Sequence, residues 1–141
     1  MEKSIILQSP YLLELPGEKS DSGSLNFWEN MTLFPQGIQR CFWITKVDGE
    51  TNRGNHAHWQ ESQVLVALNG NAVVTVESAA GEIFTFTLNS PALGLFIPPL
   101  HWVSVSFSAE TVLLGMSDLE FSEEDYIRDK QYFESLKERY S

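Results

Sequence analysis

Apolar and polar residues alternate along most of the chain, in short runs that end at turn-forming residues. Alternation with a period of two is typical of β-strands that bury one face. The runs that predict strands are residues 4–8, 11–15, 25–30, 38–47, the stretch around 56–58, 64–68, 71–78, 82–88, 94–97, 102–107 and 111–116. About ten short strands with turns between them and no interleaved helix predict an all-β barrel or jelly roll.

Turn residues mark the connections between these strands. Asn69-Gly70, which follows the run 64–68, is a strong hairpin signal, and Ala79-Ala80-Gly81 predicts another hairpin. Residues 17–23 are polar and contain turn formers, so they are predicted to form a loop.

The last segment has a helical period instead. Ser122-Glu123-Glu124-Asp125 resembles a capping box, and apolar or aromatic side chains follow at roughly helical spacing as far as Tyr140. We therefore expect one domain over residues 1–141. Its predicted parts are N-terminal strands in 1–19, a barrel in 20–118 and an amphipathic helix in 122–140.

The composition and net charge of the chain argue against several classes of protein. The single cysteine, Cys41, excludes an internal disulfide or a thiolate metal cluster within one chain, and no segment approaches transmembrane length. A soluble, cytoplasmic protein is expected. With 19 Asp+Glu against 9 Lys+Arg, the net charge of -10 opposes binding to nucleic acid. A phosphate-bearing ligand would need a local cluster such as Arg40, Lys46 and Arg53.

Two of the three histidines, His56 and His58, lie one residue apart. On a strand, alternate side chains point to one face, so both imidazoles are expected to face one cavity while Ala57 and Trp59 face away. Imidazole titrates near neutral pH, so such a pair can move protons at a carbon next to a carbonyl. The alternative is a structural role, in which both rings fill a polar barrel interior.

The histidine pair also matches the first metal-binding motif of the cupin superfamily, whose jelly-roll barrels commonly hold an ion with histidines and a glutamate. Here Gln63 takes the glutamate position, and its neutral amide is a poor ligand for a hard divalent ion. Val103 falls where the last histidine would be, and His101 beside two prolines is as readily a surface loop residue. We therefore expect no metal and no other cofactor.

The wider sequence resembles the nucleotide-sugar 3,4-ketoisomerases of the WxcM-like cupin family. The stretch Arg53-Gly54-Asn55-His56-Ala57-His58, followed by Gln63 to Gly70, carries most of the resemblance, which spans about residues 20–134. Further matching motifs are Gly23-Ser24-Leu25, Ile38-Gln39-Arg40, Pro91-Ala92-Leu93-Gly94-Leu95, Trp102 after the prolines, and Glu124 to Asp129. The resemblance implies a cupin-type double-stranded β-helix that converts a dTDP-4-keto-6-deoxy-glucose into its 3-keto isomer.

Carried over by position, the resemblance implies that His58 is the base that moves the proton between sugar carbons and that His56 assists it. Arg40 and Arg53 are expected to shape or charge the pocket. The other implied substrate-binding positions are Gln63, Phe42, Trp59, Trp102, Val103 and Ser22.

Several of these positions depart from the family pattern. The family commonly has arginine or tyrosine at Ser22, lysine at Trp59, and histidine or arginine at Val103. Phe42 and Trp43 replace tyrosines, which removes a hydroxyl that could donate to the substrate carbonyl.

Three classes of function remain. We favour a metal-free ketoisomerase, followed by a noncatalytic nucleotide-sugar-binding module and then a metal-dependent cupin enzyme. The expected ligand is a nucleotide sugar, with neither nucleic acid nor membrane as partner. A homodimer is also expected, because the proline-broken strands at 4–15 are able to add to a partner's sheet.

Overall fold

Strands dominate the computed structural model of the chain, which describes residues 7–29 and 32–141. The elements are β1 (Tyr11–Glu14), β2 (Gly17–Ser20), β3 (Gly23–Asn26), β4 (Arg40–Ile44), β5 (Asn52–His58), β6 (Gln63–Asn69), β7 (Ala72–Ser78), β8 (Ile83–Leu88), β9 (Leu93–Ile97), β10 (His101–Phe107), β11 (Val112–Ser117), a 3-10 turn (Glu123–Asp125), β12 (Tyr126–Ile127), α1 (Lys130–Ser135) and α2 (Lys137–Tyr140). Among the described residues, no helix is long and apolar enough to cross a membrane.

Two five-stranded antiparallel sheets face each other. Sheet A has the order β1-β9-β6-β11-β4, sheet B has the order β12-β5-β10-β7-β8, and β2 pairs with β3 in a separate hairpin. Alternate side chains of both sheets meet in a core that includes Leu65, Ala67, Val74, Val76, Leu88, Leu95, Val105 and Leu113. The predicted all-β jelly roll is confirmed.

The turn signals predicted the ends of the strands correctly, but they were less reliable in predicting which strands pair with each other. The hairpin at Ala79-Ala80-Gly81 is confirmed, because β7 pairs with β8. The hairpin at Asn69-Gly70 is wrong, since β6 bonds to β9 and β11 in sheet A while β7 lies in sheet B. That turn carries the chain from one sheet to the other. The predicted loop at 17–23 contains β2, whose pairing with β3 buries no face and so leaves no hydrophobic alternation.

The C-terminal helix begins later than predicted. Ser122 makes no capping hydrogen bond with its side chain, and the residues after it form the 3-10 turn and β12. The cap is Asp129, whose carboxylate accepts hydrogen bonds from the backbone N–H groups of Gln131 and Tyr132. Phe133 is the buried residue of α1 and packs on the outer face of sheet B, as an amphipathic helix should.

Residues 123–129, here called the closing segment, lie against the histidine strand. β12 pairs with β5, with Tyr126 opposite His58 and Ile127 opposite Ala57. The segment predicted to begin a helix therefore extends sheet B at the end of the barrel that holds both histidines.

The N-terminal strands are described in part. Of the predicted strand 4–8, residues 4–6 lie outside the described residues, and residues 7–10 are not in a strand. β1 falls within the predicted strand 11–15 and pairs with β9 of the same chain, with Tyr11 opposite Phe96. It is one of the two edge strands of sheet A, and β4 is the other.

Candidate active site

A cavity of about 380 Å³ lies between the two sheets at the histidine end of the barrel. Its volume falls within the usual range for small-molecule sites. The lining residues come from both sheets and the closing segment: Arg40, Phe42, Trp43, Ile44, Arg53, Gly54, His56, Gln63, Leu65, Val103, Val105, Leu113, Tyr126 and Arg128. A cavity of about 460 Å³ beside β1 and β2 is larger, but among the described residues no histidine or arginine lines it. The barrel cavity is therefore the candidate active site, because histidine and arginine side chains line it.

A bulge in β5 aims two basic side chains into this cavity. Val103 pairs with His56 and Ser104 pairs with Gly54, so Asn55 is an extra residue in the strand. Gly54 has φ +91°, and a Cβ there would lie 2.7 Å from the carbonyl oxygen of Val103. Because of the extra residue, Arg53 and His56 line the same cavity although they are three positions apart. Glycine is required at this point of the strand.

His56 presents an unprotonated nitrogen to the cavity. Its Nδ1 lies 3.1 Å from the carbonyl oxygen of Gly54, and a carbonyl oxygen only accepts hydrogen bonds. Nδ1 therefore carries the hydrogen, and Nε2 keeps its lone pair. Burial lowers the pKa of His56, and the guanidinium groups of Arg128 and Arg40 lower it further, against the hydrogen bond to Gly54. The ring is a neutral base at neutral pH.

His58 lies behind His56 rather than in the cavity lining. The two rings are in contact edge to face, with centroids 5.0 Å apart, but only His56 lines the cavity, so the prediction that both imidazoles face one cavity is wrong for His58. His58 is only 7% exposed, and its nitrogens contact two carboxyl groups. Nδ1 lies 3.3 Å from Oδ2 of Asp125, and Nε2 lies 3.3 Å from Oε2 of Glu61. Burial, helped by His56, Arg40 and Arg128, lowers the pKa of His58.

Sequence reasoning missed both of these carboxyl groups. Asp125 was assigned to a helix start, whereas its carboxylate accepts hydrogen bonds from the backbone N–H groups of Gln60 and Glu61. Glu61 is 3% exposed and accepts a hydrogen bond from the side-chain amide of Gln63. Burial raises the pKa of Glu61. The available signal for Glu61 was an acidic residue three positions before the buried apolar run that begins at Val64.

A metal ion fits this cluster poorly. Ligand atoms of His58, Glu61 and Asp125 lie within 4.8 Å of one another. However, the two carboxyl groups face opposite nitrogens of one ring, and an ion can take only one of those nitrogens. Asp125 is also held by two backbone N–H groups. The cluster thus offers one ion about two good ligands, fewer than the three protein ligands of a catalytic zinc site.

The closing segment supplies two further cavity residues that sequence reasoning did not assign to the site. The ring of Tyr126 contacts His56 and His58, with centroids 4.9 and 4.3 Å away, and its hydroxyl accepts a 3.4 Å hydrogen bond from Arg40. The guanidinium carbon of Arg128 lies 4.1 Å from the centroid of the Tyr126 ring. Arg128 therefore joins Arg40 and Arg53 in the basic cluster, and Lys46 does not line the cavity.

Three predicted substrate-binding residues lie elsewhere. Trp59 and Trp102 face away from the cavity, as the alternation of β5 and β10 requires, and pack in the cluster that α1 covers. The ring of Trp102 lies 5.6 Å from that of Phe133. Ser22 is exposed in the turn between β2 and β3, where it bonds to Ser20.

His101 is buried rather than on a surface loop. It begins β10, and its Nδ1 donates a 2.8 Å hydrogen bond to the carbonyl oxygen of Pro99. It does not line the barrel cavity, so it is no substitute for a metal ligand at Val103.

Comparison with known proteins gives the family. The model of the family described as "FdtA: WxcM-like, C-terminal" matches residues 8–138. A TDP-4-oxo-6-deoxy-alpha-D-glucose-3,4-oxoisomerase from Aneurinibacillus thermoaerophilus is 38% identical over 112 residues, which cover 79% of this chain and 80% of that protein.

Solved structures agree with the sequence match. The sugar 3,4-ketoisomerase QdtA from Thermoanaerobacterium thermosaccharolyticum, in complex with TDP, is 32% identical with a TM-score of 0.87, over 96% of this chain and 100% of that one. A histidine-to-asparagine variant of QdtA in complex with TDP-4-keto-6-deoxyglucose is 30% identical with a TM-score of 0.86, over 95% and 97% of the two chains. The chain therefore belongs to the FdtA family of WxcM-like proteins.

Proposed function

We propose that the protein is a 3,4-ketoisomerase of deoxysugar biosynthesis, acting on a nucleotide-linked 4-keto-6-deoxyhexose. The observation that carries the proposal is the hydrogen bond between Nδ1 of His56 and the carbonyl of Gly54, which leaves Nε2 of the neutral ring without a hydrogen in a cavity lined by three arginines. A relative of the same family was solved with TDP and, as a variant, with TDP-4-keto-6-deoxyglucose.

The charges of the cavity suit a nucleoside diphosphate. The chain carries a net charge of -10, yet Arg40, Arg53 and Arg128 line this cavity, and no carboxyl group does among the described residues. Guanidinium groups bind phosphate oxygens with two parallel hydrogen bonds. Arg40 and Arg53 can therefore hold the diphosphate while the sugar reaches the histidine end, whereas the guanidinium of Arg128 is paired with the carboxylate of Glu123.

The proton transfer is assigned to His56. An imidazole base must lie within hydrogen-bond reach of the carbon-bound proton, and His56 lines the cavity whereas His58 lies behind it. The geometry thus favours exchanging the two expected roles, with His56 as base and His58 as its support. Nε2 takes the proton from C3 of the sugar, next to the C4 ketone, and later returns a proton to C4.

Tyr126 is the proposed donor to the sugar oxygens. Phe42 and Trp43 provide no hydroxyl, but the Tyr126 hydroxyl accepts a hydrogen bond from Arg40 and so has its own hydrogen available. When C3 loses its proton, the C4 oxygen becomes an enediolate oxygen that this O–H can stabilise. Tyr126 passes its hydroxyl proton to the C4 oxygen and regains one from the 3-hydroxyl, while His56 returns the proton that it took from C3 to C4. The product is an isomer, and the steps move only protons.

Deuterium incorporation tests this assignment. Incubation of a TDP-4-keto-6-deoxy sugar with the protein in heavy water should give the 3-keto isomer with carbon-bound deuterium. His56→Asn should lower turnover by on the order of 10²–10⁴-fold, the usual contribution of one general base. Tyr126→Phe should lower kcat and leave binding of TDP unchanged.

The controls separate a base from a structural residue. Trp59 follows β5 and packs in the cluster that α1 covers, away from the cavity, so Trp59→Phe should keep turnover. If His56→Asn retained full turnover and exchange, the assignment of the base would be wrong. If the wild type bound TDP, measured by thermal stabilisation, but gave neither product nor exchange, the binding-module function would replace the isomerase.

A further inference from the structure

We propose that Gly115 is a positioning residue of the candidate active site, because the space left by its missing side chain sets where the Phe42 ring lies and, through that ring, where the guanidinium of Arg40 lies. Gly115, Phe42, Arg40 and Phe121 are called the arginine stack below. The inference rests on the proposed function, since Arg40 is one of the two arginines proposed to hold the diphosphate.

The ring of Phe42 occupies the space that a side chain at residue 115 would need. Gly115 on β11 pairs with Phe42 on β4, and Phe42 lines the cavity between the two sheets. A Cβ at Gly115 would lie 2.5 Å from both Cε1 and Cε2 of Phe42, and closer still to Cζ. Carbon atoms that are not bonded to each other pack at about 3.5–4.0 Å. The far end of the ring therefore lies on the glycine, and a larger residue would displace it by at least about 1 Å.

The guanidinium of Arg40 is held between two aromatic rings. Its Cζ lies 5.0 Å from the centroid of the Phe42 ring and 5.2 Å from that of Phe121. A guanidinium within about 6 Å of a ring centroid is attracted by the face of the ring. Phe121 is 56% exposed although it is a large apolar residue, and its ring also packs on Tyr126. The position of Arg40 is therefore set mainly by aromatic contacts.

The arginine stack holds Arg40 without neutralising it. Among the described residues, no carboxylate forms an ion pair with Arg40, and its one side-chain hydrogen bond goes to the Tyr126 hydroxyl. Arg128, in contrast, is paired with Glu123. The other N–H groups of the Arg40 guanidinium remain available to phosphate oxygens in the cavity that it lines.

A methyl group at residue 115 would move the ring toward the inside of the cavity. Side chains stand roughly perpendicular to a sheet, and residue 115 faces the same side as Phe42 and Leu113, which both line the cavity. The ring would therefore be pushed away from sheet A. Because the guanidinium of Arg40 rests on this ring, it would be displaced as well. A smaller cavity with a misplaced phosphate ligand is the expected result.

Two substitutions test whether Gly115 acts through Phe42. Gly115→Ala should weaken binding of TDP by on the order of 10- to 10²-fold, equivalent to the loss of one hydrogen bond to a charged group. Phe42→Leu removes the ring atoms that meet the Cβ, and it should weaken binding only about two- to fivefold, the equivalent of a cation–π contact at an exposed site. In the double variant, Phe42→Leu should rescue Gly115→Ala to the affinity of Phe42→Leu alone.

The control is Gly94→Ala, because Gly94 lies on β9 of the same sheet and a Cβ there would meet Val64 and Leu13, away from the cavity. It should leave TDP binding unchanged. A double variant that bound TDP as weakly as Gly115→Ala, or a Gly115→Ala variant with wild-type affinity, would overturn the proposal. Should Gly115→Ala fail to fold, the double variant must fold and bind TDP, and its failure would overturn the proposal equally.

Proton NMR of Arg40 gives a readout that depends on neither turnover nor TDP. Protons above the face of an aromatic ring are shielded, so the side-chain protons of Arg40 should resonate upfield of those of an unstructured arginine. Phe42→Leu should reduce this shift and Gly115→Ala should change it, whereas Gly94→Ala should preserve it. An unshifted Arg40 in the wild type would contradict the arginine stack. If the wild type neither binds TDP nor gives the 3-keto isomer, the proposed function fails, and the shifts of Arg40 in the variants still decide the role of Gly115.

Discussion

His56 is the side chain whose protonation its neighbours control most directly. Burial lowers its pKa, and the positive charges of Arg128 and Arg40 act in the same direction, while the carbonyl of Gly54 opposes them. A base is active when it is unprotonated, so a lowered pKa extends activity to more acid pH. Arg40 and Arg128 therefore favour the unprotonated state that the proposed base needs.

The pH profile of kcat/KM tests this coupling. Its acid limb should lie below 6.5, the ordinary pKa of histidine, because the folded environment disfavours the imidazolium. Arg128→Gln removes one of the opposing charges and should move that limb to higher pH. Lys19→Gln, on the exposed β2, changes the net charge equally and should leave it in place. An acid limb that did not move in Arg128→Gln would contradict the role of this charge.

Residue types in the sequence predicted part of this site. The spacing of His56 and His58 placed both rings together, and Arg40, Phe42, Arg53, Gln63 and Val103 all line the cavity. Local spacing carries no information on which distant side chain completes a hydrogen bond. The contact of Asp125 with His58 depends on the pairing of β12 with β5, because the two residues are 67 positions apart in the sequence. Glu61 is only three positions from His58, and its contact depends on how the chain turns between β5 and β6. They required the structure.

At the scale of elements, the bulge in β5 is the feature that sets the geometry of the base. Gly54 combines a left-handed backbone with close approach to the carbonyl of Val103, and its own carbonyl holds Nδ1 of His56. Regular alternation would have put Arg53 and His56 on opposite faces of the strand. One extra residue brings Arg53, a proposed ligand of the diphosphate, and His56, the proposed base, to the same cavity.

Gly54→Ala should therefore impair both stability and catalysis. We expect a loss on the order of 1–3 kcal/mol in the free energy of unfolding, the usual cost of a strained backbone position, together with a lower kcat. Denaturant unfolding and steady-state kinetics measure the two effects. Gly81→Ala is a matched control, because Gly81 has φ +95° but meets only the side chain of Lys137, away from the cavity. A variant at Gly54 with wild-type stability and kcat would contradict this account.

The strands were easier to predict from the sequence than the strands and hydrogen-bonding groups with which they pair. Alternation located the strands of the barrel, since each buries one face in the shared core. The turn at Asn69-Gly70 was visible, but a turn residue does not specify whether the next strand returns to the same sheet. The acidic run after Ser122 was assigned to a helix because its hydrogen-bond partners, the N–H groups at Gln60 and Glu61, are remote in sequence.

At the scale of the whole molecule, an apolar cluster lies on the outer face of sheet A. Phe34, Val64, Val66, Phe96 and Met116 are buried there within the chain, and the apolar surface left beside them is on β1, where Tyr11 is 43% exposed. The ring of Tyr11 lies 5.2 Å from that of Phe96. An edge strand with an exposed aromatic residue is a surface that self-association can cover.

We expect a homodimer at micromolar concentration, measured by light scattering. Tyr11→Glu places a charge on this surface and should shift the equilibrium toward monomer without unfolding the barrel. Ile83→Glu adds the same charge to an exposed apolar position of β8, in sheet B, and should leave the dimer intact. A monomeric wild type would exclude the homodimer, and dissociation by Ile83→Glu alone would place the interface on sheet B.

The closing segment lines the cavity, and its place late in the chain also means that the site can form only after the barrel strands have been made. A nascent chain can pair β4 to β11 before residues 123–129 are available, and only these residues bring Asp125, Tyr126 and Arg128 to the histidines. β12 is two residues long and is held by one neighbouring strand, so it is suited to open while the barrel stays folded. The barrel can then be folded while the site is not yet assembled. A protease that cut the closing segment would leave an intact barrel without a working site.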